Sequence, residues 1–227
     1  MKQVVTVRRR ALAANDEQAD VLRRRFEGSG TLVVNLISSP GSGKTTLLEE
    51  TVRRLSADFK LAVIEGDVAT ENDADRLRAL GVPAHQVLTG GACHLDARQV
   101  SGALEIASLL PADILFIENV GNLICPTTYD LGEDCKVVAL SVTEGDDKPV
   151  KYPAIFARAE VAVITKSDLL PHVRFDLDSV RRQVAVLNPS GTLLVTSATT
   201  GEGIDAWCAL LLERLHAKRS GRAPATR

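Results

Sequence analysis

Aromatic side chains are scarce. Only 4% of the 227 residues are Phe, Tyr or Trp, so the interior must be built from aliphatic groups. Long apolar runs are missing too. None approaches the roughly 18 residues that span a bilayer, and no membrane association is expected. Neither sign of charge dominates: 27 Lys and Arg face 29 Asp and Glu, a net charge of -2, which leaves no basic footprint for nucleic acid. Residues 1–20 carry too many Arg, Asp and Glu for the apolar core of a signal peptide, which points to the cytoplasm. Cysteine is confined to Cys93, Cys125, Cys135 and Cys208. In a reducing compartment these are core thiols or metal ligands rather than disulfides. The remaining composition, 45% hydrophobic and 25% charged, excludes a disordered chain, a collagen and a coiled coil.

What is present is alternation. Short Val/Ile/Leu runs at Leu32–Ile37, Leu61–Ile64, Gln86–Leu88, Ile114–Ile117, Val137–Val142, Val161–Ile164 and Leu193–Thr196 read as strands covered on both faces. Between them, helical spacing covers Lys44–Leu55, Asn72–Leu80, Asp96–Leu110, Val150–Arg158, Leu177–Leu187 and Ile204–His216. The pattern predicts an α/β fold: a doubly wound, mainly parallel sheet with helices on both faces. Residues 8–28 add a helix with a stripe of Leu12, Ala19, Leu22 and Phe26. The expected organisation is an N-terminal helical extension packed on the domain (1–30), one nucleotide-binding domain (31–216) and a frayed tail (217–227). Ligands of such a sheet bind beyond the carboxyl ends of its strands.

The stretch Ser38-Ser39-Pro40-Gly41-Ser42-Gly43-Lys44-Thr45-Thr46 follows a strand and opens a helix, the context of a phosphate-binding loop. Gly41, Ser42 and Gly43 let backbone N–H groups approach phosphate oxygens at a helix N-terminus. Lys44 can reach the β and γ phosphates. The Thr45 hydroxyl can bind Mg²⁺, with Thr46 beside it. Ser38 stands where the usual pattern opens with Gly, which is acceptable unless φ there must be positive.

After a later strand come Thr165-Lys166-Ser167-Asp168. The Asp168 carboxylate can accept from guanine N1–H and its 2-amino group, donors that adenine lacks. Thr165 replaces the usual Asn, and the Lys166 stem can lie over the base. Ser197-Ala198, after another strand, can offer a backbone N–H to guanine O6. In this order behind a phosphate loop, these stretches favour GTP and GDP over ATP.

Two strand ends carry acids, Glu65-Gly66-Asp67 and Glu118-Asn119-Val120-Gly121. Asp67 suits the Mg²⁺ and Glu118 a water in its outer shell. Gly121 can place a bare backbone N–H on the γ-phosphate. Glu71, Asp73 and Asp75 either hold the group that orients the attacking water or are a solvated helix start.

Cys93 and His94, after Gly90-Gly91, and Cys125, four residues beyond Gly121, offer thiolates and an imidazole for Ni²⁺ or Zn²⁺. Adjacent residues diverge by about 100° on a helix, so Cys93 and His94 converge only in a turn or at a helix start. A second copy across a two-fold axis could complete the three-ligand site. Two buried cysteines and a surface His would give the same spacing. Cys135 and Cys208 have no partner nearby in sequence and read as structural.

Taken in order, the phosphate loop, Glu-Gly-Asp, Gly-Gly-x-Cys-His, Glu-Asn-Val-Gly with Cys125 beyond it, Ser-Val-Thr-Glu-Gly-Asp-Asp-Lys-Pro and Thr-Lys-Ser-Asp resemble HypB, a family of GTPases that assist nickel insertion into NiFe-hydrogenase. The resemblance spans about residues 8–215. It implies the SIMIBI class of P-loop GTPases, slow GTP hydrolysis, a homodimer when GTP is bound, and Cys93, His94 and Cys125 as metal ligands. It also implies that Lys148 approaches the nucleotide of the facing subunit. Partners by resemblance are a HypA-like nickel metallochaperone and the hydrogenase large-subunit precursor. Two features of some members are missing: an N-terminal cysteine motif, since no Cys precedes Cys93, and a His-rich stretch, since the chain has four His. Ser39 stands where several ATPases of the class carry a second lysine. Two other readings compete: a urease-accessory GTPase, which would show Cys-Pro-His where Cys125-Pro126-Thr127 stand, and a metal-binding chaperone whose turnover is incidental.

Overall fold

The computed structural model describes residues 2–67 and 72–221. Seven strands, β1 (Leu32–Ser38), β2 (Leu61–Asp67), β3 (Ala84–Leu88), β4 (Ile114–Glu118), β5 (Cys135–Ser141), β6 (Val161–Thr165) and β7 (Thr192–Val195), form one sheet. Its order is β3-β2-β4-β1-β5-β6-β7, and every pair is parallel. The helices are α1 (Lys2–Ser29), α2 (Lys44–Leu55), α3 (Asn72–Arg78), α4 (Ala97–Ile106), α5 (Lys148–Lys151), α6 (Pro153–Arg158), α7 (Leu177–Leu187) and α8 (Ile204–Arg219). Parallel strands need crossovers, and these helices supply them on both faces. Alternate side chains of β1 show the result. Leu32, Val34 and Leu36 join the core under α2, α3 and α8, while Val33 joins the core under α1 and α4. Among the described residues, no helix is long and apolar enough to cross a membrane.

Several predicted helices change length, α3 ending at Arg78 rather than Leu80, and three of the changes have clear local reasons. The helix expected over Val150–Arg158 is two helices that meet at Tyr152, because Pro153 lacks an N–H and holds Tyr152 out of the helical region (φ -127, ψ 53). α4 stops at Ile106 rather than Leu110, and Ser108 turns left-handed at φ 48. α8 runs on to Arg219. Its basic last turn suits the helix dipole, and Lys218 and Arg219 pair with Asp134 and Asp113. Residues 222–227 of the expected tail lie outside the described residues.

α1 buries Ala19, Leu22 and Phe26 as its periodicity implies. Asn15 shares that buried face. Its amide donates to Asp130 O (2.9 Å) and accepts from the Ala97 N–H (2.9 Å). The single Trp207 is fully buried on α8, and its Nε1–H donates to Thr51 Oγ1 on α2 (2.9 Å). Trp207→Ala would open a cavity between these helices and remove that bond. A loss of roughly 3–5 kcal/mol in unfolding free energy is expected in a urea titration.

Candidate functional site

All the chemically loaded stretches sit at the carboxyl edge of the sheet, around the point where β1 is flanked by β4 and β5. A cavity of about 480 Å³ opens there, lined by Gly41, Gly43, Lys44, Thr45, Thr46, Asp67, Asp73, Arg76, Glu118, Gly121 and Lys166. Ser38 is the last residue of β1 and does not adopt a positive φ, so the missing first glycine is not needed. Its Oγ accepts from Lys44 Nζ (3.0 Å). Gly43 is left-handed at φ 87, the turn that aims α2 at the cavity. Gly121 is required by space: a Cβ there would lie 2.9 Å from the Pro40 backbone.

The floor of the cavity is acidic. Thr45 Oγ1 donates to Glu118 Oε1 (3.0 Å), and Lys44 Nζ lies 3.6 Å from the same oxygen. Glu118 Oε2 is buried and has no donor beside it other than the neighbouring Glu65 carboxyl. Glu65 lies opposite Glu118 in the β2–β4 register. Burial pushes both carboxyls up, and the charge of Glu118 pushes Glu65 further, well above the carboxylate range. The charge of Lys44 and a hydrogen bond from Glu65 pull Glu118 back toward its charged form. From the acidic run, Asp73 faces the cavity, Asp75 pairs outward with Arg78, and Glu71 lies outside the described residues. Sequence reasoning missed Arg76, which binds both oxygens of Glu49 (3.0 and 2.9 Å) as well as Asp73 (3.1 Å).

Ser42 points inward rather than into the cavity. Its single O–H is shared between Ser39 O (2.8 Å) and Glu144, an acid of the Ser-Val-Thr-Glu-Gly-Asp-Asp-Lys-Pro stretch. Lys148 lies against its own phosphate loop, 3.4 Å from Ser39 Oγ and 3.6 Å from Glu144 Oε2, with Tyr152 beneath it.

A neighbouring cavity of about 330 Å³ is lined by Thr46, Thr165, Lys166, Asp168 and Ala198. Ser197 Oγ donates to Asp168 Oδ1 (2.5 Å), which orients the carboxylate. Thr165, in place of Asn, donates to Ser42 O (2.6 Å), and Lys166 Nζ donates to Gly41 O (2.7 Å). Both tie this pocket to the phosphate loop.

Cys93, His94 and Cys125 converge, with their ligand atoms within 4.8 Å of one another. Cys93 and His94 lie in a turn before α4, whose start is fixed by a reciprocal Asp96–Gln99 cap. The His94 ring packs on Tyr129, with centroids 3.8 Å apart. Tyr129 follows the 3-10 turn Cys125–Thr128 and carries no spacing signal. The hydrogen bond with Cys125, then burial, pushes the Cys93 thiol up, and burial pushes His94 down. A soft cation bound here has to displace a thiol proton and meets a neutral imidazole. Cys135 and Cys208 are different: burial pushes them up to about 12 and about 11, and both sit in the core.

Comparison with known proteins identifies the family. The family model of the CobW/HypB/UreG nucleotide-binding domain matches residues 32–195. The chain is 53% identical to the hydrogenase maturation factor HypB of Escherichia coli K12 over 86% of this chain and 68% of that protein. It is 48% identical to that of Azotobacter chroococcum over 99% and 73%. Its fold matches the crystal structure of HypB from Helicobacter pylori in complex with nickel with a TM-score of 0.86 and 41% identity, covering 94% of this chain and 99% of that one. The chain belongs to the CobW/HypB/UreG family of nucleotide-binding proteins and, within it, to the HypB hydrogenase maturation factors.

Proposed function

We propose that the protein is a cytoplasmic GTPase that carries nickel for NiFe-hydrogenase assembly, hydrolysing GTP to GDP and phosphate. In this reading it dimerises when GTP is bound. It receives or delivers metal with a HypA-like metallochaperone and the hydrogenase large-subunit precursor. The observation that carries the reading is that Cys125 lies four residues beyond Gly121, which packs on the phosphate loop, while its thiol meets Cys93 and His94.

Each side chain has a task in this scheme. Gly41, Ser42, Gly43 and Thr46 shape a backbone cradle for the phosphates, and Lys44 spreads its charge over β and γ. Thr45 and Asp67 would hold Mg²⁺, with Glu118 accepting from a water on it. The ion would neutralise charge developing on the phosphates. Gly121 would give its N–H to the γ-phosphate. Asp168, aimed by Ser197, would read guanine N1–H and the 2-amino group, with Ala198 N–H at O6 and Lys166 along the base. Lys148 would leave Ser39 for the nucleotide of a second copy. Cys93, His94 and Cys125 suit Ni²⁺ or Zn²⁺ by donor softness.

The test is Cys125→Ala. Ni²⁺ affinity is expected to fall on the order of a hundredfold, read by competition with a chromogenic chelator. GTP hydrolysis by the metal-free protein should change less than about twofold. Unchanged Ni²⁺ affinity would remove the metal site from the reading. Equal nickel transfer with GTP and with a non-hydrolysable analogue would favour the chaperone with incidental turnover.

A further inference from the structure

We propose that Asn122 couples the metal loop to the nucleotide-sensing loop, with one side-chain amide gripping both arms of the metal site. The inference deepens the function proposed above and rests on it. Asn122 Nδ2 donates to Cys93 O (3.2 Å), and Asn122 Oδ1 accepts from the Ile124 N–H (2.9 Å), the residue before Cys125. One carboxamide thus holds the Cys93–His94 arm with its donor and the Cys125 arm with its acceptor.

A second amide fixes the far side of His94. Asn119 Oδ1 accepts from the Leu95 N–H (3.1 Å) and its Nδ2 donates to Asn35 Oδ1 (3.2 Å). The two peptide groups that flank His94 are therefore held from one short stretch, 119–122. Their anchors differ in character. Asn119 is buried, and its backbone N–H donates to Leu36 O (2.9 Å), so it belongs to the rigid sheet. Asn122 is outside the sheet and the nucleotide cavity, but it adjoins Gly121, whose backbone touches Pro40 of the phosphate loop. A displacement of Gly121 by the γ-phosphate moves Asn122, while Asn119 stays with the sheet. The Cys93 carbonyl then shifts against the Leu95 N–H, and His94 between them turns relative to Cys125. Without the Asn122 amide, the Cys93 carbonyl loses its link to the 119–122 stretch and no longer follows the nucleotide.

The experiment titrates Ni²⁺ into the native protein, Asn122→Ala and Asn122→Ser, each with Mg²⁺-GDP and with a Mg²⁺-bound non-hydrolysable GTP analogue. Ser keeps an oxygen for the Ile124 N–H but has no donor long enough for Cys93 O. The quantity read is the ratio of Ni²⁺ affinities in the two nucleotide states. It is expected to lie in the range of roughly 5–150-fold for the native protein. In both variants it should fall to within about twofold of unity while Ni²⁺ still binds. By linkage, Ni²⁺ should then stop altering the affinity for the GTP analogue by the same factor. A native-like ratio in either variant overturns the inference and leaves the proposed function standing. Loss of Ni²⁺ binding in both variants also overturns it, because Asn122 would then be a prop for the ligands. A native protein that binds Ni²⁺ with a ratio of one overturns the coupling itself. A native protein that binds no Ni²⁺ overturns the function on which it rests.

Discussion

Lys44→Ala is expected to reduce GTP hydrolysis at least about a hundredfold, to the background rate. The ammonium is buried beside Ser38 Oγ and Glu118 Oε1 at the base of the phosphate cavity, so no solvent cation replaces it. Removing one preorganised charge or donor from a water-excluded site typically costs 10² to 10³ in rate. The substitution has a second consequence. It leaves the Glu65–Glu118 pair without its cation, and breaking a buried pair from one side is destabilising. A lower thermal midpoint is therefore expected as well, less marked for Lys44→Met, whose unbranched chain refills the space. Hydrolysis should be measured by phosphate release below the midpoint of each variant. Native turnover in a folded variant would sink the assignment of this cavity to the nucleotide phosphates.

Asp168→Asn is expected to exchange one base for another. Ser197 Oγ already donates to Asp168 Oδ1, so in the variant it holds the amide oxygen on its own side. The amide NH₂ is then turned toward the base, where guanine presents N1–H and the 2-amino group. The amide keeps one acceptor and turns one N–H on guanine's donors, so one of two charge-assisted hydrogen bonds becomes donor facing donor; such a bond is worth roughly 1.5–3 kcal/mol. GTP affinity should fall on the order of a hundredfold or more. Xanthosine triphosphate, whose 2-oxo group accepts from the amide, should bind more tightly than to the native protein. Competition between the two nucleotides reads the exchange directly. An unchanged guanosine-to-xanthosine ratio would show that the pocket lined by Thr46, Lys166 and Asp168 does not hold the base.

The parallel sheet is legible in the sequence because its strands are buried on both faces and leave unbroken aliphatic runs. The phosphate loop is legible because chemistry and spacing coincide in one contiguous stretch. The convergence of Cys93, His94 and Cys125 is half legible: the residue types suggest metal, but only the β4 loop lying beside the turn before α4 brings them together. Asn122 and Tyr129 leave no trace in spacing, and Asn119, though inside the Glu-Asn-Val-Gly stretch, shows nothing of its task, since holding a backbone group or a ring needs no periodic neighbour. The Glu65–Glu118 contact is a matter of register between β2 and β4, adjacent in space but about fifty residues apart. Thr165 reads from sequence as a weakened Asn. In the fold its hydroxyl reaches the Ser42 carbonyl, so the shorter side chain still links the two pockets.

Asn15 gives the N-terminal helix a mechanical role. Its carboxamide joins Ala97, three residues after His94, to Asp130, five residues after Cys125, and Arg23 on the same helix pairs with Asp130 as well. The two arms of the metal site are thus braced at their roots by α1, while their tips remain open to solvent at Cys93. Because the one Asn15 amide holds both roots, Asn15→Ala would release both loops at once.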